Sequence, residues 1–463
     1  MSIETALAWL DGHVNLEATA GVVDDLSLDR MRALVGAMGD PQTSYPVVHV
    51  TGTNGKGSVA RMVTALLGAH GLRVGTYTSP HLEIVNERLL AHDRMVSDGE
   101  LAELVTDLSR LEPLVEPEVG RASWFELVTA AAFRWFADLA VDVAVVEVGL
   151  LGRFDATNVA DGTVAVVTNV AKDHTDGRPG WREAIAAEKA GIVKPGSTLV
   201  LGETDPALVE VFAAEPAART HVRGVDFDCT RNRTAVGGRL VDLRTPHGEL
   251  EELFLPLHGS HQGDNAAAAA TAASAFFDRA LDGDVAAEAF ATVELPGRFE
   301  VVSRSPLVVL DAAHNPAGAQ AAARTLREDF APAGDTILVV GMLRGRDPTE
   351  LLQALDAASA SLVVLCEPDS PRAVPAGELR DAGEALGLPV EEAPSIEAAV
   401  ARGQDAAGED DAVLVCGSLY VVGPARRALI GGGGAPRSGG RRCRRRWCAA
   451  PRRRDGVPCV PAG

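Results

Sequence analysis

Val47-Val48-His49-Val50-Thr51-Gly52-Thr53-Asn54-Gly55-Lys56-Gly57-Ser58 reads as a buried strand, a glycine-rich turn and a helix beginning near Ser58. Glycines there let backbone amides approach phosphate oxygens, the helix start adds positive potential, and Lys56 reaches the terminal phosphates. An ordinary glycine turn is the plain alternative, and the lysine in this context argues against it. Two positions depart from the general phosphate-loop pattern. Val50 stands where a first glycine is usual, and Gly57 where a metal-binding Ser or Thr follows the lysine. A Mg²⁺ on the nucleotide therefore needs another hydroxyl or carboxylate. A regulatory GTPase is the rival from a non-metabolic class, but no asparagine in the chain precedes a lysine, so the guanine-reading Asn-Lys-x-Asp segment is missing.

Around this loop, short β-branched runs alternate with helical patterns from Tyr45 to about Val200. Tyr45–Val50, Asp142–Val148 and Thr163–Asn169 read as strands, and Trp124–Leu139 as a crossover helix. The pattern predicts an α/β fold with a doubly wound, mainly parallel sheet. A second alternation (Leu307–Leu310, Thr336–Val340, Leu362–Cys366, Ala412–Cys416) predicts a smaller Rossmann-like α/β domain. Leu295-Pro296-Gly297 marks the break. The expected domains are 1–296, 297–430 and a disordered Arg/Gly-rich tail at 431–463.

The 463 residues carry a net charge of −21, which opposes general binding to nucleic acid or anionic lipid. From Gly431 onward nine arginines and one aspartate make the tail +8, so residues 1–430 hold −29 of that total. A basic arm for nucleic acid or membrane is the alternative to a merely solvated tail. Cys229, Cys366 and Cys416 are scattered without metal-ligand spacing, as in a reducing compartment. No secretory leader or membrane span is expected, and a cytoplasmic location follows.

Thr-Gly-Thr-Asn-Gly-Lys-Gly-Ser resembles the loop of the folylpolyglutamate synthase and dihydrofolate synthase family of the Mur ligase superfamily. Further matching segments follow in order, among them Thr78-Ser79-Pro80-His81, Glu147-Val148-Gly149-Leu150, Asp155-Ala156-Thr157-Asn158, Asp173-His174, Glu188-Lys189-Ala190-Gly191, Pro296-Gly297-Arg298 and Asp311-Ala312-Ala313-His314-Asn315-Pro316. The resemblance spans about residues 5–430. It implies an N-terminal P-loop ATPase domain, a C-terminal glutamate ligase domain and an ATP-dependent carbon–nitrogen ligase that acts as a monomer. The partners it implies are ATP, L-glutamate and folate or dihydropteroate. A carboxylate would attack the γ-phosphate, and the glutamate amine would displace phosphate from the acyl phosphate.

The resemblance assigns nucleotide contacts to Asn54, Gly55, Lys56, Gly57, Ser58, Asn265, Arg298 and Asp311. Two Mg²⁺ ions are implied, with Ser79, Glu147 and His174 as ligands. Glu147 also stands out by itself, because an acid ending so apolar a strand is costly unless paired or metal-bound. Lys189 is implied to be carbamylated (N6-carboxylysine), and Lys56, Lys189, Asp311 and His314 are the implied catalytic groups. A helix cap is the lesser alternative for Asn265, and Asp311, His314 and Asn315 could be turn formers. Asp25, Leu26, Ser27, Leu28, Ser123, Trp124, Phe125, Glu126, Phe154, Asp155 and Ala156 match pteroate-contacting segments; ordinary helix core is the alternative for the aromatic pair. Leu151, Lys172 and Arg346 depart from the family's commoner glycine, apolar residue and lysine. The rivals are a Mur-type ligase for a peptidoglycan precursor and a non-catalytic P-loop binding protein.

Overall fold

The computed structural model describes residues 1–15, 27–92, 94–173 and 177–430. Asp25, Leu26, His174 and the tail lie outside the described residues. Helices α1 (Ile3–Asp11) and α2 (Asp29–Ala37) lead into β1 (Val47–Thr51), α3 (Lys56–Ala69), β2 (Val74–Tyr77), β3 (Leu89–Ala91) and β4 (Arg94–Met95). Next come α4 (Asp98–Val119), α5 (Trp124–Asp138), β5 (Val143–Glu147), β6 (Gly162–Val167), α6 (Trp181–Ala190), β7 (Thr198–Leu201), α7 (Pro206–Ala213) and β8 (Arg219–Val222). Their strands lie in the order β4-β3-β2-β5-β1-β6-β7-β8. All neighbours from β2 to β8 are parallel, while β3 and β4 form an antiparallel edge.

The central strands are nearly continuous valine because both faces are covered. Val48, Val50, Val145 and Val166 face a core with Val59, Val63 and Leu66 of α3. Alternate residues Val47, Ala144 and Val146 meet Leu127, Phe133 and Phe136 of α5 on the other side. This period of two on a doubly covered sheet is what fixes the register.

An antiparallel meander follows, β9 (Asp228–Ala235), β10 (Gly238–Thr245) and β11 (Gly248–Leu255), then α8 (His261–Phe277) and α9 (Gly283–Ala291). Alanines 266–270 of α8 are buried, and their small side chains let this helix pack closely beside α3.

The second half runs β12 (Glu300–Arg304), β13 (Leu307–Leu310), α10 (Pro316–Thr325), β14 (Thr336–Val340), α11 (Pro348–Ala354), β15 (Leu362–Leu365), α12 (Ala376–Ala385), β16 (Val390–Glu392), α13 (Ile396–Ala406), β17 (Ala412–Cys416) and α14 (Leu419–Ile430). Its strand order is β12-β13-β17-β14-β15-β16, parallel except for β12. Separate apolar clusters cover its two faces. Among the described residues, no helix is long and apolar enough to cross a membrane.

Candidate active site at the meeting of two sheets

Ser79 follows β2, Glu147 ends β5, Gly52–Gly55 follow β1, and Asn169–Asp173 follow β6. These four strands are neighbours, so their carboxyl ends deliver all these groups to one sheet edge. Gly52 has φ +144°, and a Cβ there would stand 1.8 Å from Thr168 Oγ1. The turn is closed by its neighbours: Thr168 Oγ1 donates to Asn54 O (2.6 Å), and Asn54 N–H donates to Asn169 Oδ1 (3.0 Å). Lys56 Nζ folds onto the carbonyls of Gly52 and Thr53 at 3.1 and 3.2 Å. Ser58 is buried in the first turn of α3, which starts at Lys56, two residues earlier than the sequence suggested.

Gly57 now has a reason. A Cβ at this position would lie 3.3 Å from Glu147 Oε2, so the missing hydroxyl of the loop is exchanged for the approach of a carboxylate. Burial raises the Glu147 carboxyl above its ordinary value, against the opposing pull of Lys56, the Ser79 amide, Arg298 and Arg88. Ser79 N–H donates to Glu147 Oε2 (3.1 Å), while the buried Ser79 Oγ has no partner. A partnerless hydroxyl beside a desolvated carboxylate is an all-oxygen donor set, which fits Mg²⁺ shared with a nucleotide's phosphates.

Asn265 does not cap its helix. It sits in the second turn of α8, whose N-cap is Ser260, and it donates to Gln262 Oε1 (3.0 Å). Its Oδ1 would be 2.5 Å from a Cβ on Gly55, which has φ +84°. Gly55→Ala therefore meets both a left-handed backbone and a polar side chain. We expect it to raise the KM for ATP about tenfold or more, since a left-handed alanine alone costs about 1–2 kcal/mol. An ATP titration beside a thermal melt checks this: an unchanged KM sinks it.

Lys189, on α6, is buried, and burial foremost, helped by Lys56, brings its amine down to about 7; Asp173 and Asp155 act the other way. From the second sheet, Asp311 accepts the amides of Phe299 and Ala313, each at 2.8 Å. Desolvation pushes its carboxyl up, with Arg298 opposing. The charge of Arg298 thus acts on Asp311 and on Glu147, from opposite sides of the cleft. His314 Nδ1 lies 2.9 Å from the Ala312 carbonyl, so that nitrogen carries hydrogen and Nε2 faces Asp173 Oδ2 at 3.5 Å. Asn315 caps α10, accepting from Gly318 N–H (2.9 Å).

The two halves touch directly here. Asn54 and Asn315 exchange amide hydrogen bonds at 3.3 and 2.9 Å. Lys172 pairs with Glu350 (2.7 Å), and Asp173 with Arg346 (2.9 Å). Two of the departures from the family pattern, Lys172 and Arg346, are therefore bridges across the cleft. Sequence reasoning assigned no role to Asp173, Glu350 or Asn169, and their partners lie too far away along the chain for spacing to reveal them.

Of the pteroate candidates, Ser123 and Glu126 form a capping box at the start of α5, and Glu126 also pairs with Arg30 (3.3 Å). Trp124 lies under the buried Arg88 guanidinium, 4.7 Å from the ring centroid. Arg88 Nε in turn donates to His81 Nδ1 (2.9 Å). Phe125 abuts Gly149, where a Cβ would come within 2.4 Å of the ring. Leu28 and Ala156 are buried, while Ser27 Oγ accepts the Asp29 amide (3.0 Å). Asp155 spends its carboxylate inside its own loop, on the Leu150 amide (2.8 Å) and on the Thr157 amide (3.0 Å) and hydroxyl. Among the described apolar residues of this set, Phe154 is the most exposed, at 39%.

Residues 124–273 match the model of the Mur ligase middle domain, and residues 297–419 that of the Mur ligase glutamate ligase domain. A dihydrofolate synthase/folylpolyglutamate synthase of Mycobacterium tuberculosis is 39% identical over 444 residues, covering 87% of this chain and 90% of that one. The chain belongs to the folylpolyglutamate synthase/dihydrofolate synthase family. It is accordingly an ATP-dependent ligase of the Mur fold. Among solved members of the family, the M. tuberculosis folylpolyglutamate synthase complexed with ADP gives a TM-score of 0.88 at 37% identity, covering 94% of this chain and 99% of that one. The bifunctional Yersinia pestis enzyme complexed with AMPPNP and a Mn ion gives 0.80 at 29% identity, covering 93% and 98%.

Proposed function

We propose that this chain joins L-glutamate to folate, and to dihydropteroate, at the cost of ATP. The observation that carries the reading is the Asn54–Asn315 amide pair, which joins the phosphate loop to the turn of the second sheet bearing Asp311 and His314. A nucleotide on that loop has its terminal phosphate where both halves meet. This suits a reaction in which two further substrates must reach one phosphorus, and it is of no use to a simple nucleotide switch. The chain divides at Pro296–Gly297 in this reading, with β1–β11 before and β12–β17 after.

Asn54, Gly55, Gly57, Ser58 and Asn265 shape the nucleotide site. Lys56 and Arg298 orient the phosphates, Asp311 contacts ATP, and His314 stands beside the point of transfer. The acceptor carboxylate attacks the γ-phosphorus, ADP departs, and the glutamate amine then displaces phosphate from the acyl phosphate. Positioning and charge neutralisation dominate such chemistry. Ser79 and Glu147 would hold one Mg²⁺, which neutralises phosphate charge when bound. Carbamylated Lys189 and His174 would hold a second, His174 lying outside the described residues. What supports the Lys189 assignment is its buried amine, brought down to about 7, so that a large share is unprotonated and nucleophilic towards CO₂ near neutral pH. The acceptor would lie along Phe154, Phe125 and the start of α5.

Phosphate release from ATP with Mg²⁺ and glutamate, comparing dihydropteroate, tetrahydrofolate and no acceptor, tests the reading. A pterin-dependent release with a product one glutamyl unit heavier is expected. Release stimulated only by a nucleotide-peptide would transfer the chain to the peptidoglycan branch, and ATP binding without any release would leave a binding protein.

A further inference from the structure

Leu151 has φ +59°, a left-handed backbone that a leucine rarely adopts. Such a conformation persists only where the surroundings hold it from several sides. Here the surroundings of Leu151 and of the two residues after it do so. The Leu151 carbonyl accepts the hydroxyl of Thr51 (2.6 Å), the buried residue that ends β1 just before the phosphate loop. Its side chain packs into the apolar cluster containing Val148, Val167, Ile185 and Ala186, the last two from the Lys189-bearing helix α6. The next residue, Gly152, lies so close to that helix that a Cβ would meet Glu188 O at 2.7 Å and Lys189 Cα at 3.0 Å. Arg153 N–H then donates to Glu188 O (2.8 Å).

On either side of this anchor the loop turns outward. Leu150 is 43% exposed and Phe154 39%, two large apolar side chains left open to solvent. One strained residue thus ties a loop with two exposed apolar side chains to the strand that leads into the phosphate loop and to the helix that carries Lys189.

We propose that Leu151 is a positioning residue that sets the acceptor loop, Leu150 to Phe154, in register with the phosphate loop, so that attack on ATP depends on a correctly seated acceptor. The inference rests on the ligase reading above. A leucine held in this conformation keeps the loop in one arrangement before the acceptor arrives. Glycine would accept the same φ without strain but supply no anchor, leaving the loop many arrangements.

The experiment compares wild type, Leu151→Gly and Leu151→Met for acceptor KM, ATP KM and the ratio of glutamylated product to phosphate. For Leu151→Gly we expect acceptor KM up about tenfold, ATP KM within about twofold, and a product-to-phosphate ratio clearly below one, because water reaches an intermediate left without its partner. Leu151→Met refills the anchor and should recover most of the acceptor affinity. A Leu151→Gly enzyme with unchanged acceptor KM and full coupling overturns the proposal. So does an equal rise in both KM values, which would make Leu151 a mere prop of the phosphate loop, or a methionine variant as impaired as the glycine one. Should Leu151→Gly not fold, Leu151→Ala, which also lacks the anchor, carries the same comparison. A wild type without acceptor-dependent release sinks the ligase reading itself, whatever the variants do, and this inference with it.

Discussion

Glu147→Gln loses turnover by on the order of 10³-fold, yet the ligand-free variant melts a few degrees above the wild type. Both effects come from one carboxylate. Glu147 is buried, and desolvation outweighs the nearby cations in raising its carboxyl. A folded value above the unfolded one means that, between the two, the native state binds more protons than the unfolded chain and stability falls as pH rises. The ionised group therefore destabilises the fold above its folded value, and the penalty is absent at low pH. Glutamine keeps the shape and removes the buried charge, so the gap in melting temperature should widen from pH 4 to pH 7. The same exchange removes the anionic member of the Ser79–Glu147 donor set. Adding Mg²⁺ with a non-hydrolysable ATP analogue should raise the melting temperature of wild type far more than that of the variant. A variant less stable than wild type without ligand, or one retaining more than about a tenth of its turnover, contradicts this account.

Lys189→Ala should lower kcat by about 10² or more, with partial recovery when a short carboxylate such as propionate is added. The amine, ordinarily at 10.5, lies at about 7 in the fold because it is buried beside Lys56. Between those values the unfolded chain binds more protons than the native one, so unmodified protein gains stability as pH rises from 7 to 10.5. The gain is up to about 5 kcal/mol, at about 1.4 kcal/mol per pH unit. In the proposed carbamylation, the neutral amine above pH 7 would attack CO₂, release a proton and become an anionic carbamate. Turnover at pH 8 should thus fall when CO₂ is stripped and return with bicarbonate, alongside a carbamate signal in carbon-13 NMR. Indifference to CO₂, together with failure of propionate to help the alanine variant, would remove the carbamate from the mechanism.

Strands in the second sheet were the most legible elements. Leu307–Leu310, Thr336–Val340 and Ala412–Cys416 form with the bounds read from sequence, because strands covered on both faces are unbroken apolar runs. In the first sheet the ends shift by one or two residues: Tyr45 and Pro46 precede β1, and Val148 follows β5. The β9–β11 meander escaped notice. Its strands carry Arg231, Arg233, Glu249, Glu251 and Glu252 on half-exposed faces, so no apolar run announces them. The turn at Val236-Gly237 was the available signal. Helix α4 was missed as well, although Ser97 and Glu100, which form the capping box at its start, were the signal for it.

In the cleft, the phosphate loop was legible because its groups are contiguous and their geometry is local. Glu147 was legible because an acid contradicts its strand. The capping roles of Ser123 and Glu126 and the internal use of the Asp155 carboxylate are local as well, but one pattern serves both a cap and a ligand contact, and spacing cannot separate the two.

The sequence by itself determined two doubly wound layers and the chemistry of the groups at their strand ends, because periodicity and strand-to-loop order survive in one dimension. Only the tertiary structure decided why Gly57 must lack a side chain, and why Leu151 is bent. It alone joined Asn54 to Asn315, Lys172 to Glu350 and Asp173 to Arg346, contacts spanning 261, 178 and 173 residues. Each depends on how two sheets distant in sequence dock, and that is set by packing across the whole chain and by no stretch of it.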